Sequence, residues 1–525
     1  MWLSKILIKN SLIFFIVFFS IEIFAHSKFK HKNFSEELIY NPTPYPDRII
    51  LTWEGDPSTS QVVNWRTDTT IKQAYAQIVV ANSNGRSFNP TQVKAKRTYL
   101  KTDINDAYFH NVSFKNLKPN TLYAYRVGDG EIWSEYFHFK TANNEEKPFS
   151  FIYLGDAQNQ IKTHWSRVFR EAFREEPRAA FIIHAGDLIN IDNMDKEWGE
   201  WHNAPGWVNG TIPIIATPGN HEYQNASKNN RIWTNKYDID ININILSIED
   251  ISPGIKKLMI KDNQNQMGFI TIKDSGEILN FDPEIEKITG YNKKDLIDNL
   301  TFLDKKPIFD RLRNPKGTKI VSKHWRPQFS FPIQNVPDPR LKETVYFLDY
   351  QGVRIISLDS NIAVESQKSW LRKVLKNNPN KWTIVTFHHP LFSTSYNRNN
   401  VEIRKHWKPI LDEFRVDLIL SGHDHSYMRT GIIKNISNNV SSDSEKNYDP
   451  NIGTVNVISV SGPKMYEIKN KDSAKKFKEN TQLYQIIFID DKKLRFRSYT
   501  AVGELYDEFI LKKRIGKPNL LVEMN

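Results

Sequence analysis

Aspartate, asparagine and histidine recur at five places in this chain, each time directly after a short apolar run. The groups are Asp156, Asp187, Asn220–His221, His388–His389 and His423–Asp424–His425. Carboxylates and imidazoles are costly to bury unless something compensates them, and two divalent cations would do so. Carboxylate, imidazole and amide oxygen suit Zn, Mn or Fe. Each group alone fits an ordinary helix cap or turn, but their recurrence after five apolar runs predicts a site for two metals.

The apolar runs before these groups are predicted to be β-strands. They cover residues 149–154, 180–185, 212–217, 382–387 and 416–421. Between the first two, apolar residues from Ile161 to Phe173 recur at helical spacing, which indicates an α/β layout with parallel strands. Polar residues just past the carboxyl ends of such strands are where ligands bind, so we expect the five groups to meet at one edge of the fold.

Residues 46–141 have a different pattern and predict an all-β domain. Short runs rich in β-branched and aromatic residues alternate with turn signals such as Gly55-Asp56-Pro57 and Asn84-Gly85, as in a sandwich of about seven strands. Residues 117–127 read Leu-Lys-Pro-Asn-Thr-Leu-Tyr-Ala-Tyr-Arg-Val and resemble the penultimate strand of fibronectin type III modules, whose tyrosine supports a corner. We expect this domain to be a packing platform rather than a ligand-binding module.

The composition excludes several classes of protein. A chain of 525 residues with 39% hydrophobic and 12% aromatic side chains can bury large cores, which excludes wholesale disorder. Cysteine is absent, which excludes disulfides, thiolate metal ligands and a cysteine nucleophile. The net charge of +12 is spread along the chain without a dense basic block or a groove-reading motif, so we expect no nucleic-acid partner. The sequence does not indicate an oligomeric state.

The N-terminus predicts export. Lys5 and Lys9 precede an apolar stretch, and Ala25 is a small residue where a signal peptidase would cut. We therefore interpret residues 1–25 as a signal peptide and residues 26–45 as a linker. An uncleaved anchor is the alternative, but the apolar stretch is shorter than the roughly 20 residues that span a bilayer. We expect a secreted or periplasmic protein with no transmembrane segment after cleavage.

Taken in order, the five polar groups resemble the motif blocks of the calcineurin-like metallophosphoesterases. The matching residues are Gly155-Asp156, Gly186-Asp187, Gly219-Asn220-His221-Glu222, Val385-Thr386-Phe387-His388 and Gly422-His423-Asp424-His425. The upstream sandwich makes the purple acid phosphatase branch the more specific resemblance. It implies an α+β multidomain protein, in which the fibronectin type III-like sandwich precedes a four-layer α/β/β/α catalytic domain over residues 148–512.

The same resemblance implies a role for each matching residue. Asp156 and His425 would hold the first metal, Asn220, His388 and His423 the second, and Asp187 would bridge the two. His221 would stay unligated beside the substrate as a proton donor to the leaving group. The implied activity is acid phosphatase-like hydrolysis of phosphate monoesters by a hydroxide that the two metals activate, on a small phosphorylated substrate.

Two positions depart from the family pattern. Purple acid phosphatases place a tyrosinate ligand four residues after the glycine of the second block, where this chain has Asn190. Other metallophosphoesterases have a histidine two residues after the first aspartate, where this chain has Gln158. Without the phenolate we expect a colourless enzyme that uses two divalent ions. Either of these amide oxygens, or a water, would complete the first metal site.

Two further histidines are candidates for contacts with the substrate. His389 follows a candidate ligand directly and either reaches the substrate or caps a turn. His202 lies between the second and third blocks, where it would line the rim of the pocket. His184, in contrast, lies inside an apolar strand and is predicted to be a core residue.

Residues 239–317 do not fit the phosphatase pattern and are predicted to be a small α/β insertion. A hairpin over residues 267–281 and a helix over residues 283–289 resemble the first half of a PAS sensory domain, whose later strands are not apparent in the sequence. The insertion either regulates access to the active-site rim or is an inert surface addition. Exposed loops tolerate insertions at small entropic cost, which favours the second alternative.

Two other functions fit the same sequence. A phosphodiesterase could use the same scaffold, because bimetallic chemistry serves both kinds of ester and the preference lies in the loops. A sensory or binding protein would instead depend on the insertion and the sandwich, with a vestigial metal site. Hydrolysis of monoesters is the leading hypothesis.

Overall fold

The computed structural model describes the chain over ten ranges. These are residues 36–84, 88–225, 231–234, 240–262, 266–273, 278–289, 319–395, 398–433, 454–514 and 517–524. The predicted signal peptide lies outside them. Helix α1 (Glu36–Tyr40) belongs to a first compact unit that ends at Asn41, and the chain from Pro42 onward forms a second unit. Within these ranges, no helix is both long and apolar enough to cross a membrane.

Residues 47–140 form two four-stranded antiparallel sheets. The strands are β1 (Asp47–Thr52), β2 (Gln61–Thr67), β3 (Tyr75–Val80), β4 (Thr91–Lys94), β5 (Lys96–Lys101), β6 (Asp106–Phe114), β7 (Leu122–Gly128) and β8 (Phe137–Lys140). The strand orders are β1-β2-β6-β5 and β4-β3-β7-β8. The sheet-rich domain expected from the sequence is confirmed, with eight strands in the described ranges where about seven were expected.

Side chains from both sheets fill the core of this domain. Val63 and Trp65 of β2 pack with Tyr125 of β7 in one apolar cluster. Tyr123 Oη accepts a hydrogen bond from the Lys118 N–H at 2.8 Å, which ties down the corner before β7. Strand β8 alternates buried and exposed residues, whereas every residue of β2 is buried.

The α/β region begins at Phe149 with alternating strands and helices. Its first elements are β9 (Phe149–Leu154), α2 (Ser166–Glu175), β10 (Ile182–His184), α3 (Asp195–Asn203), β11 (Ile214–Ala216) and β12 (Tyr223–Asn225). Strands β9, β10 and β11 pair in parallel, with Ile183 opposite Tyr153 and Ile215. The predicted α/β layout is confirmed here, because buried apolar strands alternate with helices that cover them.

The insertion forms a sheet of its own. Within the predicted range are β14 (Asp240–Ser252), β15 (Ile255–Asp262), β16 (Met267–Lys273), β17 (Ile278–Phe281) and α4 (Pro283–Thr289). Strand β13 (Arg231–Thr234) joins the same sheet and lies before the predicted start at residue 239. The five strands are ordered β13-β14-β15-β16-β17, an antiparallel meander. The predicted hairpin and helix are confirmed as β16–β17 and α4. The strands that extend this hairpin precede it in the chain, and residues 290–318 lie outside the described residues.

The two ends of the insertion lie side by side. Strand β12 pairs antiparallel with β18 (Lys319–Val321), which places Asn225 opposite Lys319. The Ser322 N–H continues this pairing by donating to the Glu222 carbonyl at 2.7 Å. The inserted segment therefore leaves and re-enters the fold through adjacent strands, directly after the third polar group of the sequence.

A second run of strands and helices follows the insertion. It comprises α5 (Trp325–Gln328), β19 (Tyr346–Tyr350), β20 (Val353–Ser357), α6 (Lys368–Lys376), β21 (Trp382–Thr386), α7 (Val401–His406), α8 (Lys408–Glu413), β22 (Leu418–Ser421), β23 (Tyr427–Ile433), β24 (Thr454–Ile458), β25 (Lys476–Lys478), β26 (Leu483–Ile489), β27 (Lys493–Thr500), β28 (Leu505–Arg514) and β29 (Lys517–Glu523). Strand β29 extends its sheet past the predicted end of the domain at residue 512.

Two seven-stranded sheets share one core. Their orders are β11-β10-β9-β26-β27-β28-β29 and β19-β20-β21-β22-β24-β23-β25. Ile152 and Ile487 of the first sheet belong to the same apolar cluster as Ile384 and Leu420 of the second. The other face of the second sheet packs on α6, α7 and α8. Strands β20, β21, β22 and β24 pair in parallel, so their carboxyl ends also share one edge.

A buried ion network joins the sandwich to the α/β region. Arg48 of β1 donates to Asp195 Oδ1 and Oδ2 at 2.7 and 2.8 Å, and Arg66 of β2 donates to Asp195 Oδ2 at 3.1 Å. Arg66 also donates to Asp47 Oδ2 at 2.6 Å, which balances the second positive charge. Because separating the two parts would leave buried charges without partners, this network holds them in one arrangement.

Candidate metal centre

The loops after β9, β10, β21 and β22 bring metal-binding side chains into one cluster. Two overlapping groups of donors can hold an ion: Asp187, His388 and His423 in one, and Asp156, Asp187 and His425 in the other. Within each group the donor atoms lie within 4.8 Å of one another. Asp187 is common to both groups, so two ions bound there would share its carboxylate.

Asn220, from the loop after β11, lies against the donor group formed by Asp187, His388 and His423. Its Oδ1 is 3.2 Å from His388 Nε2, which is 3.1 Å from both His423 Nδ1 and Asp187 Oδ2. In the second group, His425 Nε2 is 3.8 Å from Asp156 Oδ1. Several lone-pair donors thus face one another around His388 Nε2, an arrangement that a proton or a cation stabilises. Carboxylate, imidazole and amide oxygen without thiolate fit Zn, Mn or Fe.

Hydrogen bonds to backbone carbonyls orient two of the imidazoles. His388 Nδ1 lies 2.9 Å from the Ala185 carbonyl, and His425 Nδ1 lies 2.9 Å from the Lys464 carbonyl. A carbonyl oxygen only accepts, so each Nδ1 carries the proton in the neutral ring. The lone pair of Nε2 then points into the cluster, as a metal ligand requires.

Four of the candidate ligands have a left-handed backbone. The φ angles are 42° at Asp156, 53° at Asp187, 75° at His423 and 48° at His425. Such angles are unfavourable for residues with a Cβ and persist where the surroundings or a function require them. The packing is also close, since a Cβ on Gly422 would lie 2.3 Å from Asp156 Oδ2. This geometry lets His423 and His425, two residues apart, both reach the cluster.

Glu222 is a part of the site that the sequence analysis did not assign. Its fully buried carboxylate accepts the N–H groups of Asp187 at 2.9 Å and Gly219 at 2.6 Å through Oε2, and that of Leu188 at 2.7 Å through Oε1. Burial, followed by the charge of Asp187, raises the pKa of Glu222 to about 7. With only N–H donors around both oxygens, the ionised form is the one that the geometry suits. The sequence signal that could have indicated this role is the position of Glu222 at the end of the Gly-Asn-His-Glu motif.

The side chains of the cluster differ in how they hold protons. Burial acts to raise the pKa of Asp187, but the charge and hydrogen bond of His388 outweigh it and the net shift is downward. Burial acts to lower the pKa of His388, and the carboxylates of Asp187 and Asp156 raise it to about 9. Burial lowers the pKa of His425 to about 3. His388 is therefore the cluster imidazole whose proton a cation must displace at neutral pH.

Gln158 faces the donor group formed by Asp156, Asp187 and His425. Its Nε2 lies 2.9 Å from Asp187 Oδ2 and 2.8 Å from His425 Nε2, while its buried Oε1 has no hydrogen-bond partner within the described part of the chain. Rotating the amide by 180° exchanges the two atoms and turns the oxygen toward the cluster. Asn190 contributes its backbone instead: its N–H donates to Glu197 Oε2 at 2.6 Å and its carbonyl lies 2.6 Å from His221 Nδ1.

His221 and His389 lie at the edge of the cluster. The His221 N–H donates to Asp187 Oδ1 at 3.0 Å, and the contact of its Nδ1 with the Asn190 carbonyl leaves Nε2 available. The ring of His389 lies 4.2 Å from that of His423, and His389 Nδ1 is 2.8 Å from Ser360 Oγ. Both side chains are half-buried, so both can contact a bound molecule.

His202 is in a different environment from the one expected. It is 4% exposed, its ring contacts Trp201 at 5.0 Å, and its Nε2 lies 2.9 Å from Gln328 Oε1. A rim residue would be exposed, so the structure does not bring His202 to the pocket. His184 is buried beside Trp201 as predicted, with its pKa lowered to about 3 by burial.

Two family profiles match the chain. The profile of the purple acid phosphatase N-terminal domain matches residues 46–141, and that of the calcineurin-like phosphoesterases matches residues 149–427, more than half of the chain. The chain belongs to the calcineurin-like phosphoesterase family. Members of this family are phosphoester hydrolases, and membership implies a dinuclear metal site, which the two donor groups around Asp187 fit.

Proteins of similar sequence align with part of this phosphoesterase. Purple acid phosphatase 21 of Arabidopsis thaliana is 25% identical over 38% of the chain and 42% of its own length. Acid phosphatase type 7 of Danio rerio is 32% identical over 34% of the chain and 40% of its own length. The chain thus covers less than half of these two relatives. Fe(3+)-Zn(2+) purple acid phosphatase 12 of A. thaliana is 20% identical over 75% of the chain and 67% of its own length.

Solved structures share the fold of this phosphoesterase. Purple acid phosphatase PPD1 from yellow lupin superposes with a TM-score of 0.61 at 15% identity, covering 89% of this chain and 74% of that protein. A structure of PhoD superposes with a TM-score of 0.53 at 11% identity, covering 92% of this chain and 93% of that protein. At these identities the likeness shows the fold alone.

Proposed function

We propose that this phosphoesterase hydrolyses small phosphate monoesters at a two-metal site. The observation that carries the proposal is the pair of donor groups that overlap at Asp187. Two ions held by these groups would lie close enough to act on one phosphoryl group. Family membership and the acid phosphatases among the relatives support the same reaction.

The metal ligands in this proposal are those that the sequence motifs indicate. Asp156 and His425 would hold one ion and Asn220, His388 and His423 the other. Asp187, which belongs to both donor groups, would serve both ions. Gln158 would complete the site of Asp156 and His425 through its amide oxygen, because that oxygen is buried and lacks a partner among the described residues. With asparagine at position 190 in place of a tyrosinate, we propose two divalent ions of Fe, Mn or Zn and a colourless protein.

The side chains around the ions have separate tasks. When bound, a pair of divalent cations supplies Lewis acidity toward a phosphoryl oxygen and toward water. His221 donates from Nδ1 to the Asn190 carbonyl, so the imidazolium form of the ring would give its Nε2 proton to the leaving oxygen. His389, which contacts the ring of His423, lines the same side for the substrate. Glu222 keeps the Asp187 loop in place and does not touch the substrate.

Metal analysis combined with kinetics tests the proposal. The purified chain should bind two divalent ions and hydrolyse p-nitrophenyl phosphate after addition of Zn, Mn or Fe. Asp187→Asn should lose metal and lower kcat/KM by roughly a hundredfold or more. Asp349→Asn is the control. Asp349 pairs with Arg354 on the β19–β20 hairpin and is not a candidate metal ligand, so this variant should keep its metal and its activity. Unchanged hydrolysis and metal content in Asp187→Asn would contradict the proposal.

The preference for monoesters is tested by a second substrate. Bis(p-nitrophenyl) phosphate carries one negative charge where the monoester carries two, so a site built around two cations should prefer the monoester. We expect kcat/KM for the monoester to exceed that for the diester. The reverse order would identify a phosphodiesterase on the same scaffold.

Three finer features of the architecture belong to the same proposal. The corner between Tyr123 and Lys118 supports a fibronectin type III-like sandwich. Helices α6 to α8 on the outer face of the second sheet support a four-layer α/β/β/α arrangement. The β16–β17 hairpin followed by α4 supports a relationship to PAS domains, although the neighbouring strands come before the hairpin.

Export is the remaining part of the proposal. Its support is the sequence of residues 1–25, with two lysines before an apolar stretch and a small residue at Ala25. N-terminal sequencing of the protein recovered from outside the cytoplasm should begin near residue 26. Recovery of the intact N-terminus would contradict cleavage.

A further inference from the structure

Residues 464–466 lie against the candidate metal centre on the side of His425. The ring of Tyr466 is centred 4.7 Å from that of His425, and the Tyr466 N–H donates to the His425 carbonyl at 3.1 Å. The Lys464 carbonyl accepts from His425 Nδ1 at 2.9 Å. This segment follows β24, outside the residues 149–427 that match the family profile. The family match therefore assigns it no role, although it contacts a candidate metal ligand.

Two cationic side chains contact the ring of Tyr466. The guanidinium carbon of Arg398 lies 4.8 Å from the ring centroid, and Lys464 Nζ lies 5.7 Å from it. Arg398 Nη1 also donates to the carbonyl of His423, the other candidate ligand of this loop. An aromatic ring attracts cations without neutralising them. Two positive charges are therefore held beside the loop that carries His423 and His425.

Much of the hydrogen-bonding capacity of these three side chains is unused. Among the described residues, Arg398 Nε and Nη2, Lys464 Nζ and the Tyr466 hydroxyl have no hydrogen-bond partner. The one described carboxylate in ion-pair contact with either cation is that of Asp424, 3.6 Å from Arg398 Nη1. The Arg398 side chain is 28% exposed and the other two residues are half-buried. An anionic group would satisfy these donors and balance the remaining positive charge.

We propose that Arg398, Lys464 and Tyr466 form a subsite for a second anionic group of the substrate. This inference rests on the proposed function, in which the phosphoryl group that is transferred lies at the metals. The preferred substrates are then phosphate monoesters whose alcohol part carries a further phosphate or a carboxylate. A planar guanidinium suits two oxygens of such a group, and the ammonium acts as a point charge. The role of the three side chains is selection of the substrate.

Phosphonates test the subsite without turnover, because their carbon–phosphorus bond is not a phosphate ester. Methylphosphonate has a single anionic group, methylenediphosphonate adds a second phosphonate, and phosphonoacetate adds a carboxylate. Calorimetric titration of the metal-loaded chain, at one fixed concentration of free metal, gives the three affinities. We expect the wild-type chain to bind at least one of the two longer anions more tightly than methylphosphonate. Equal affinities for all three would overturn the proposal.

Removal of either cation should reduce this preference. In Lys464→Gln and in Arg398→Gln, the affinity for the preferred longer anion should fall roughly tenfold relative to that for methylphosphonate. Tyr466→Phe removes only the hydroxyl and should reduce the same ratio by a smaller factor. Lys464→Gln and Tyr466→Phe keep the backbone contacts with His425, so they still test the proposal if Arg398→Gln folds poorly.

Lys469→Gln is the matched control for the change of charge. Lys469 is an exposed lysine of the same segment, and its backbone N–H donates to the Thr394 carbonyl at 2.8 Å. Because the substitution leaves that backbone contact in place and does not alter the ring of Tyr466, this variant should keep the wild-type ratio of affinities.

The ligand that is affected identifies the second group. A fall for methylenediphosphonate alone assigns the subsite to a phosphate, a fall for phosphonoacetate alone assigns it to a carboxylate, and a fall for both assigns it to either anion. An equal fall for methylphosphonate would overturn the proposal, because the side chains would then act at the metal centre itself. Ratios within twofold of wild type in Lys464→Gln and Arg398→Gln would also overturn it. Failure of the wild-type chain to hydrolyse any phosphate ester would refute the proposed function instead, and the phosphonate affinities would still report on the subsite.

Discussion

The carboxylate of Glu222 accepts the backbone N–H of Asp187 at 2.9 Å, and the same oxygen accepts the N–H of Gly219 at 2.6 Å. Two loops that carry candidate metal ligands, one after β10 and one after β11, are thereby joined through one side chain. Precise spacing of ligands depends on such supporting contacts as much as on the ligands themselves.

Glu222→Gln should therefore weaken metal binding although Glu222 is not a ligand. An amide cannot accept at both ends, so one set of N–H donors would face an NH₂ group. We expect metal affinity to fall roughly ten- to hundredfold, measured by competition with a chromophoric chelator. Glu343→Gln is the control, because burial also raises the pKa of Glu343 to about 7 but its partner is Arg326. Equal affinities in the two variants would show that Glu222 does not position the ligands.

His221→Asn should separate proton donation from metal binding. The substitution leaves the candidate ligands intact, so metal content should match that of wild type. Loss of a general acid lowers kcat by about 10²–10⁴-fold, and the loss should be greater for an alkyl phosphate than for p-nitrophenyl phosphate, whose leaving group needs less protonation. His164→Asn, at an exposed position, should leave kcat unchanged. A loss of kcat that does not depend on the leaving group would rule out the acid role.

Metal affinity should rise with pH through neutrality. The pKa of His388 is raised to about 9, so below that pH a cation must displace a proton from His388 to bind. His425, whose pKa is lowered to about 3, is already neutral in this range and releases none. Burial also raises the pKa of Asp156 well above its ordinary value, so a cation can displace a proton from this carboxyl as well. Affinity should increase by about tenfold per pH unit between pH 6 and 8 for each proton displaced, with release of at least one proton. Titration calorimetry in two buffers of different ionisation enthalpy measures that release, and its absence would contradict the assignment.

The ion network between the sandwich and the α/β region should make stability sensitive to Asp195. Burial acts to raise the pKa of Asp195, but the charge of Arg48 and further partners outweigh it, so the net shift is downward. A depressed pKa in the folded state contributes stability above the unfolded value near 4, and that contribution is lost as the pH falls.

Asp195→Asn should destabilise the protein at neutral pH by about 3–5 kcal/mol, because Arg48 and Arg66 lose the carboxylate between them. Denaturant unfolding measures the change. Asp491→Asn, which removes an exposed partner of Lys381, should leave the midpoint where it is. A midpoint for Asp195→Asn equal to that of wild type would mean that the network does not hold the two parts together.

The elements and residues that could be predicted from the sequence have strong local patterns of apolar and polar residues. The five groups at strand ends could be found because buried parallel strands are continuous apolar runs, and the β16–β17 hairpin because its apolar residues alternate. The clustering of Asp156 with His425 depends on the packing of the two sheets against each other, because β9 and β22 belong to different sheets. Their distance in sequence carries no such information.

The features that were missed depend on tertiary contacts. The role of Glu222 arises from N–H groups of a loop more than 30 residues away. His202 was misplaced because its burial depends on Trp201 and Gln328, and Gln328 is distant in sequence.

The pairing of β12 with β18 has a practical consequence for protein engineering. Because Asn225 and Lys319 are opposite each other, the chain between them could be replaced by a tight turn, or by a foreign domain whose termini are close, without moving the loop that carries Asn220 and His221. Such a chimera should keep its hydrolytic activity while it carries the guest domain. This strand pair is therefore a site where a second protein can be attached within the chain.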